Sequence, residues 1–424
     1  MQDRFGLPVT TPSPAALDAY ERAALGMLGW DGNALGLFHA ALAADPRLAL
    51  AHAGAAVCLF LDERFVEARA AADAARAALD GVTLRERSHV EALATLVTGR
   101  PPDAERRIRE HLEAFPRDLV VVQRLYFLFF WQGRFPEMLE LTRALTREDD
   151  GASFPLGLHA FALEQDGRCA EAVRVAEAAL ARNPRDAWAV HALAHALYEQ
   201  AAFDAGLARV PAALEPCTHL GWFRNHLLWH VALLHLSRGD YARASALSRA
   251  VFEQAPSAIA GELHDSISLL WRLDLVGVAV AERWQPFAAI ARERLNRQGL
   301  LFHAVHLAMA LAAAGDWATA ERQLGLLRER VPKDPTGLIA SLAIPLIEGL
   351  HAFAVRDYAR TVARIEPLGP RIVELGGSRA QRDVFHDTLL EACFRGGDGE
   401  RSERLLTERV ARRPDHVWAT RAAR

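Results

Sequence analysis

The chain has 424 residues, 51% of them hydrophobic, and a formal net charge of -4. So large an apolar fraction supports a continuous core and excludes a disordered chain. The near-balanced charge, with no basic stretch interleaved with aromatics, gives no reason to expect nucleic acid as a partner.

The opening residues, "MQDRFGLPVTTPSP", contain no apolar signal core, and uninterrupted apolar runs such as "LYFLFFW" are far too short to span a bilayer. Cys58, Cys169, Cys217 and Cys393 lack the paired spacing of a zinc ribbon or redox dithiol. The expectation is a cytoplasmic protein with no membrane partner. Lys333, in "VPKDPTG", is the only lysine, which argues against chemistry through a buried lysine Schiff base.

Residues 1–45 read as an N-terminal helical cap. From there three stretches align, "AADPRLALAHAGAAVCLFLDERFVEARAAADAA", "AFPRDLVVVQRLYFLFFWQGRFPEMLELTRAL" and "ARNPRDAWAVHALAHALYEQAAFDAGLARVPAAL". Their prolines, Pro46, Pro116 and Pro184, are separated by 70 and 68 residues, each about twice a 34-residue helix-pair period. Proline followed by Arg or Asp suits a first helical turn, where a missing N–H costs nothing. A first helix of about fifteen residues, roughly 22 Å long, then gives way to a break such as "WQGRF" or "EQDGR" and an alanine-rich second helix.

Residues 46–215 therefore read as regular tetratricopeptide-like repeats. Beyond Pro211 the period loosens, but "HLSRGDYARASAL", "LAAAGDWATAERQL", "AFAVRDYARTVARI" and "CFRGGDGERSERLL" keep the helix, turn, helix grammar, so 216–424 reads as divergent repeats continuing one array. The predicted fold is all-α: an α-solenoid of roughly eleven tetratricopeptide-like helix pairs forming a right-handed superhelix. An all-helical toroid or irregular bundle is the alternative.

The segments "DAWAVHALAH", "NHLLWHVAL", "DSISLLWRL", "GVAVAERW" and "RIVELGGSRAQRDVF", with "RERSHVEAL" and "DPRLALAHA" earlier, resemble the tetratricopeptide repeat protein 38 family. The resemblance spans most of the chain and implies a cytoplasmic repeat protein. It supplies no established active site, so function has to come from the residues.

Two histidine pairs stand out. His191 and His195 lie four residues apart in "HALAHALYEQ", His226 and His230 four apart in "NHLLWHVALLHL". Each pair shares a helical face, with Cβ atoms about 6 Å apart. Stacked first helices lie roughly 8–10 Å apart, so the two faces should be adjacent. Asp265 and His306 are expected to join them, and Glu199 extends the first face by a turn. Crowded, buried imidazoles stay neutral and serve as bases, donors or metal ligands.

A lone histidine on an apolar helix is most often structural, and His39, His219, His264, His303 and His416 are read so. His52 and His89 fit groove lining and core equally. Metal candidates are His191, His195, His226 and His230, with zinc the natural ion, but no glutamate follows the first histidine as in a zinc-protease helix, so a metal-free pocket is preferred. In "GGSRAQRDVF", Ser378 and Gln381 form a capping box, with anion binding assisted by Arg379 or Arg382 as the alternative. Tyr126, Phe129, Phe130 and Trp131 read as core and groove wall.

No serine elbow, phosphate loop or dinucleotide fingerprint is present. The leading functional expectation is a small molecule or short peptide bound in a concave pocket by His191, His195, His226, His230, Asp265 and His306. The competing readings are a hydrolase with His226 or His230 as general base and Asp265 as its partner, with or without a metal, and a plain protein-binding scaffold.

Overall fold

The computed structural model describes residues 1–146 and 152–422. Local chemistry sets its repeating turn. Where the first helix of most pairs ends, one residue enters the left-handed backbone region and a second helix follows; the pair Leu84–Thr98 and Pro101–Ala114, joined through Gly99 at φ -100°, is an exception. From Gly133 onward these residues are Gly167, Ala201, Gly239, Gly277, Gly315, Arg356 and Gly397, at intervals of 34, 34, 38, 38, 38, 41 and 41 residues. The period beyond Pro211 is thus lengthened rather than lost. In four of the later turns the following aspartate caps the second helix. Asp240, Asp316, Asp357 and Asp398 accept hydrogen bonds from the backbone N–H of Arg243, Thr319, Arg360 and Arg401.

The result is an α-solenoid of tetratricopeptide-like helix pairs, with no strand among the described residues beyond two isolated bridges. First and second helices differ in burial. The first helix Ala187–Glu199 buries every residue, whereas the second helix Cys169–Arg182 buries only Ala172, Ala176 and Ala179. An alanine stripe at helical spacing lets a second helix approach its neighbours closely while its other faces stay in water. A first helix that is apolar all round needs cover on every side.

That cover comes from the far side of the array. The turn after the first helix Pro14–Leu28 crosses to residues 219–223: Asp31 pairs with Leu220, and the His219 Nε2 and Gly32 N–H groups bond to Gly29 O (3.1 Å) and His219 O (3.0 Å). Trp30, left-handed at φ 62°, stacks on Phe223 (4.3 Å between centroids) and Trp188 (5.4 Å). Further on, Arg294 pairs with Glu63, and Arg413 pairs with Glu199 at 2.9 Å. Gly376 lies so close to Trp131 that a Cβ on it would stand 2.6 Å from the Trp131 carbonyl oxygen. The inner curve is therefore filled by the chain itself.

Candidate functional site

Asp186 starts the helix Ala187–Glu199 by accepting from Ala189 N–H (3.0 Å), and this fixes the face on which His191 and His195 stand. The helix Phe223–Ser237, one repeat later, carries His226 and His230. The two faces meet. Ring centroids are 4.9 Å apart for His191 and His226 and 4.3 Å for His195 and His230. His226 Nε2 lies 3.0 Å from His191 Nε2 and 3.3 Å from His230 Nε2, while ring nitrogens of His191, His195 and His230 fall within 4.8 Å of one another.

Two carboxylates stand behind the rings. His226 Nδ1 donates to Asp265 Oδ2 at 2.6 Å, which leaves its Nε2 lone pair facing the other imidazoles. Asp265 Oδ1 receives Gln381 Nε2 at 3.4 Å, and Gln381 Oε1 accepts from Ser378 N–H at 2.9 Å. The Ser378 capping box is therefore formed, and its glutamine also steadies Asp265. Glu164 Oε2 is 3.5 Å from His195 Nδ1, and Glu164 Oε1 has no hydrogen-bond partner. Glu164 is not marked by any spacing in the sequence: it lies in the last turn of the preceding first helix, Phe154–Gln165, as an acid closing an apolar run.

The rings are short of partners for their nitrogens. His191 Nδ1, His230 Nδ1 and both His195 nitrogens are buried without a hydrogen bond. Burial, reinforced by the neighbouring imidazoles, pushes the pKa values of His191 and His230 well below the ordinary histidine range. Four imidazoles thus converge, and two of them, His191 and His230, are held against protonation.

Other expectations resolve differently. His306 donates from Nδ1 to Phe302 O (2.8 Å) and packs on Phe302, His264 and Phe385, beside the four rings' group rather than in it. Glu199 pairs with Arg413, not with the histidine face. Arg379 and Arg382 donate to the carbonyl oxygens of Gln165 and Gly377, so neither is turned to an anion. His264, read as structural, sits 3.7 Å from Asp265 Oδ1. His89 and His111 both bond Asp118, which also holds Arg85 at 2.6 Å, so that group is internally satisfied.

The sequence suggests an open concave pocket at the paired histidines, but the structure has a closed core there. His191, His195, His226 and His230 are 3, 0, 7 and 1% exposed. The reason is the filled inner curve described above. A shallow depression of about 390 Å³ lies on the outer helix Pro101–Ala114, and a crevice of about 20 Å³ lies by Tyr198 and Trp418; neither is lined by the four imidazoles. Among the described residues no helix is long and apolar enough to cross a membrane.

No family model matches the chain. Among solved structures it is similar to the APC/C hetero-tetramer Cut9–Hcn1, at 13% identity and a TM-score of 0.42, with 96% of this chain and 75% of that one covered. It is also similar to Naa15/Naa10 bound to HypK-THB, at 14% identity and a TM-score of 0.26, with 96% and 65% covered. Scores this low do not establish a shared chain path, and the architecture above rests on the helix pairing itself.

Proposed function

We propose that the protein is a metal-binding helical-repeat protein, in which His191, His195, His226 and His230 hold one divalent transition-metal ion inside the closed inner curve. The carrying observation is the spacing of the converging nitrogens. Ligands bound at 2.0–2.1 Å in a tetrahedron stand about 3.4 Å apart; His226 Nε2 is 3.0 Å from His191 Nε2 and 3.3 Å from His230 Nε2, and His195 joins His191 and His230 with ring nitrogens within 4.8 Å, so the fourth ligand needs a small ring adjustment to close the tetrahedron. Four protein ligands make a closed site, the arrangement of structural zinc rather than of a zinc that keeps an open position. The missing glutamate after the first histidine argues against a protease site only.

Charge supports the same reading. Metal-ligating imidazoles carry no charge of their own, and the carboxyl groups of Asp265 and Glu164 beside them are what would balance a dication. Arg272, also buried nearby, spends its guanidinium on carbonyl oxygens, including Ala380 O at 2.6 Å. Outer carboxylates that orient ligating histidines are the usual second layer of such sites. Membership of the tetratricopeptide repeat protein 38 family, on the segments quoted above, and a cytoplasmic setting, in keeping with four free cysteines, belong to this proposal.

The test is elemental analysis of purified protein, with replacement by cobalt to report geometry. The proposal expects one equivalent of zinc or a similar ion, tetrahedral cobalt spectra, and loss of both in a His191→Gln/His226→Gln protein. Wild-type protein that neither carries nor takes up metal would overturn it. The Asp265–His226 pair is also what a general base needs, so a second reading is hydrolysis with His226 acting as base instead of ligand; ester turnover by the metal-free protein, absent in His226→Gln, would favour it.

A further inference from the structure

Seven arginines are buried among the described residues. Six of them reach a carboxylate or a backbone carbonyl. Arg85 bonds Asp118, Arg294 bonds Glu63, Arg409 bonds Asp387, and Arg413 bonds Glu199 and Asp383, while Arg272 and Arg382 donate to main-chain oxygens. Arg124 alone does neither. Its hydrogen-bond acceptor is the neutral amide oxygen of its neighbour Gln123, and its Nε has no partner. Arg124 is 5% exposed, and its guanidinium rests over the Phe127 ring at 5.3 Å. A buried charge without a counter-charge costs several kcal/mol, by order of magnitude, and proteins rarely retain one for packing alone.

The surface next to it is aromatic and only half-buried. Phe127 meets Trp30 edge-on at 5.6 Å, and Trp30 meets Trp222 in the same way at 5.7 Å. All three rings are partly open to solvent, unlike the imidazole core behind Trp188. Trp30 reaches this place through a left-handed backbone, and its buried Nε1–H has no acceptor. A guanidinium with no counter-charge and an unpartnered Nε–H, an unpartnered indole N–H and a partly open apolar wall thus stand together at the edge of the filled inner curve.

We propose that Arg124 anchors a second ligand site, independent of the metal, for a small molecule with one carboxylate on an apolar body. A carboxylate matches the guanidinium in charge and in bidentate geometry, and the body lies along Phe127, Trp30 and Trp222. Burial with no opposing carboxylate lowers the Arg124 pKa to about 10, in keeping with a charge that awaits its partner. Cys58, the one ionisable neighbour with an appreciable effect on it, carries a thiol pushed up to about 12 by burial, so it stays neutral.

The experiment uses the full chain and octanoate as probe, with octanamide as the uncharged control, and reads calorimetric binding and thermal stability. Octanoate should bind and raise the melting temperature, octanamide should bind at least tenfold more weakly, and Arg124→Met should remove the difference between them. Ligand-free Arg124→Met should be no less stable than wild type, since it loses an unpaired buried charge. Equal binding of the two probes, octanoate binding unchanged in Arg124→Met, no binding of octanoate to the wild type, or a strongly destabilised ligand-free variant would each overturn the proposal.

Discussion

Replacing Asp265 by Asn tests how the imidazole core works. The wild-type carboxylate accepts His226 Nδ1–H at 2.6 Å, short enough for a charge-assisted bond, and receives Gln381 on its other oxygen. Asparagine keeps the shape and can still accept from His226 through its amide oxygen, so the ring stays in place and only the charge is lost. Removing such an outer partner typically weakens metal binding about 10–100-fold, or about 1.4–2.7 kcal/mol. The assay is competition for zinc between the apo variant and a chelator of known affinity. The ligand-free variant should be at least as stable to urea as ligand-free wild type, because a buried carboxylate with no cationic hydrogen-bond partner has been neutralised. An Asp265→Asn protein that holds zinc as tightly as wild type would refute the argument.

Three further outcomes are expected. Burial by itself would raise the Asp118 pKa, but His89, His111 and Arg85 hold it well below the usual carboxylate range. Such a group stabilises the fold above its unfolded pKa of about 3.9 and loses that contribution as pH falls through its folded value. Asp118→Asn should therefore cost about 3–5 kcal/mol at pH 7 by urea titration, with the gap to wild type closing only below about pH 4. Gly376→Ala should lower stability by about 2 kcal/mol or more, because its φ of 84° suits glycine and the new methyl meets the Trp131 carbonyl oxygen. Arg356→Gly, at an exposed turn with φ 64°, should instead raise stability by up to about 1 kcal/mol in thermal denaturation.

The histidine convergence was legible because it rests on two local periods. Four residues align each pair, and one repeat of 35 residues brings His226 opposite His191 and His230 opposite His195. The Ser378 cap was legible for the same reason, since its partner Gln381 lies three residues on. Glu164 and Gln381 behind the rings were not: Glu164 sits on the neighbouring first helix at no repeat spacing from His195, and Gln381 comes from a distant unit through curvature that no spacing in the chain encodes. Nor was the closure. Trp30 reads as one more apolar residue at a helix end, and only its contacts with Trp188 and Phe223 show that it seals the interior. The later repeats read as irregular in the sequence because their turn spacing lengthens from 34 to 38 and then 41 residues.

The contacts that join Glu63 to Arg294 and Glu199 to Arg413 change what kind of object the molecule is. An ordinary stack of helix hairpins can shed or gain a unit at either end, and it melts from its tips inward because each unit leans only on its neighbours. Here Glu63 and Glu199 in the first half lean on Arg294 and Arg413 in the second, so a deletion in either half strips cover from the other. The number of hairpins is then as constrained as the number of staves in a barrel, and unfolding should proceed as a single event rather than as progressive fraying.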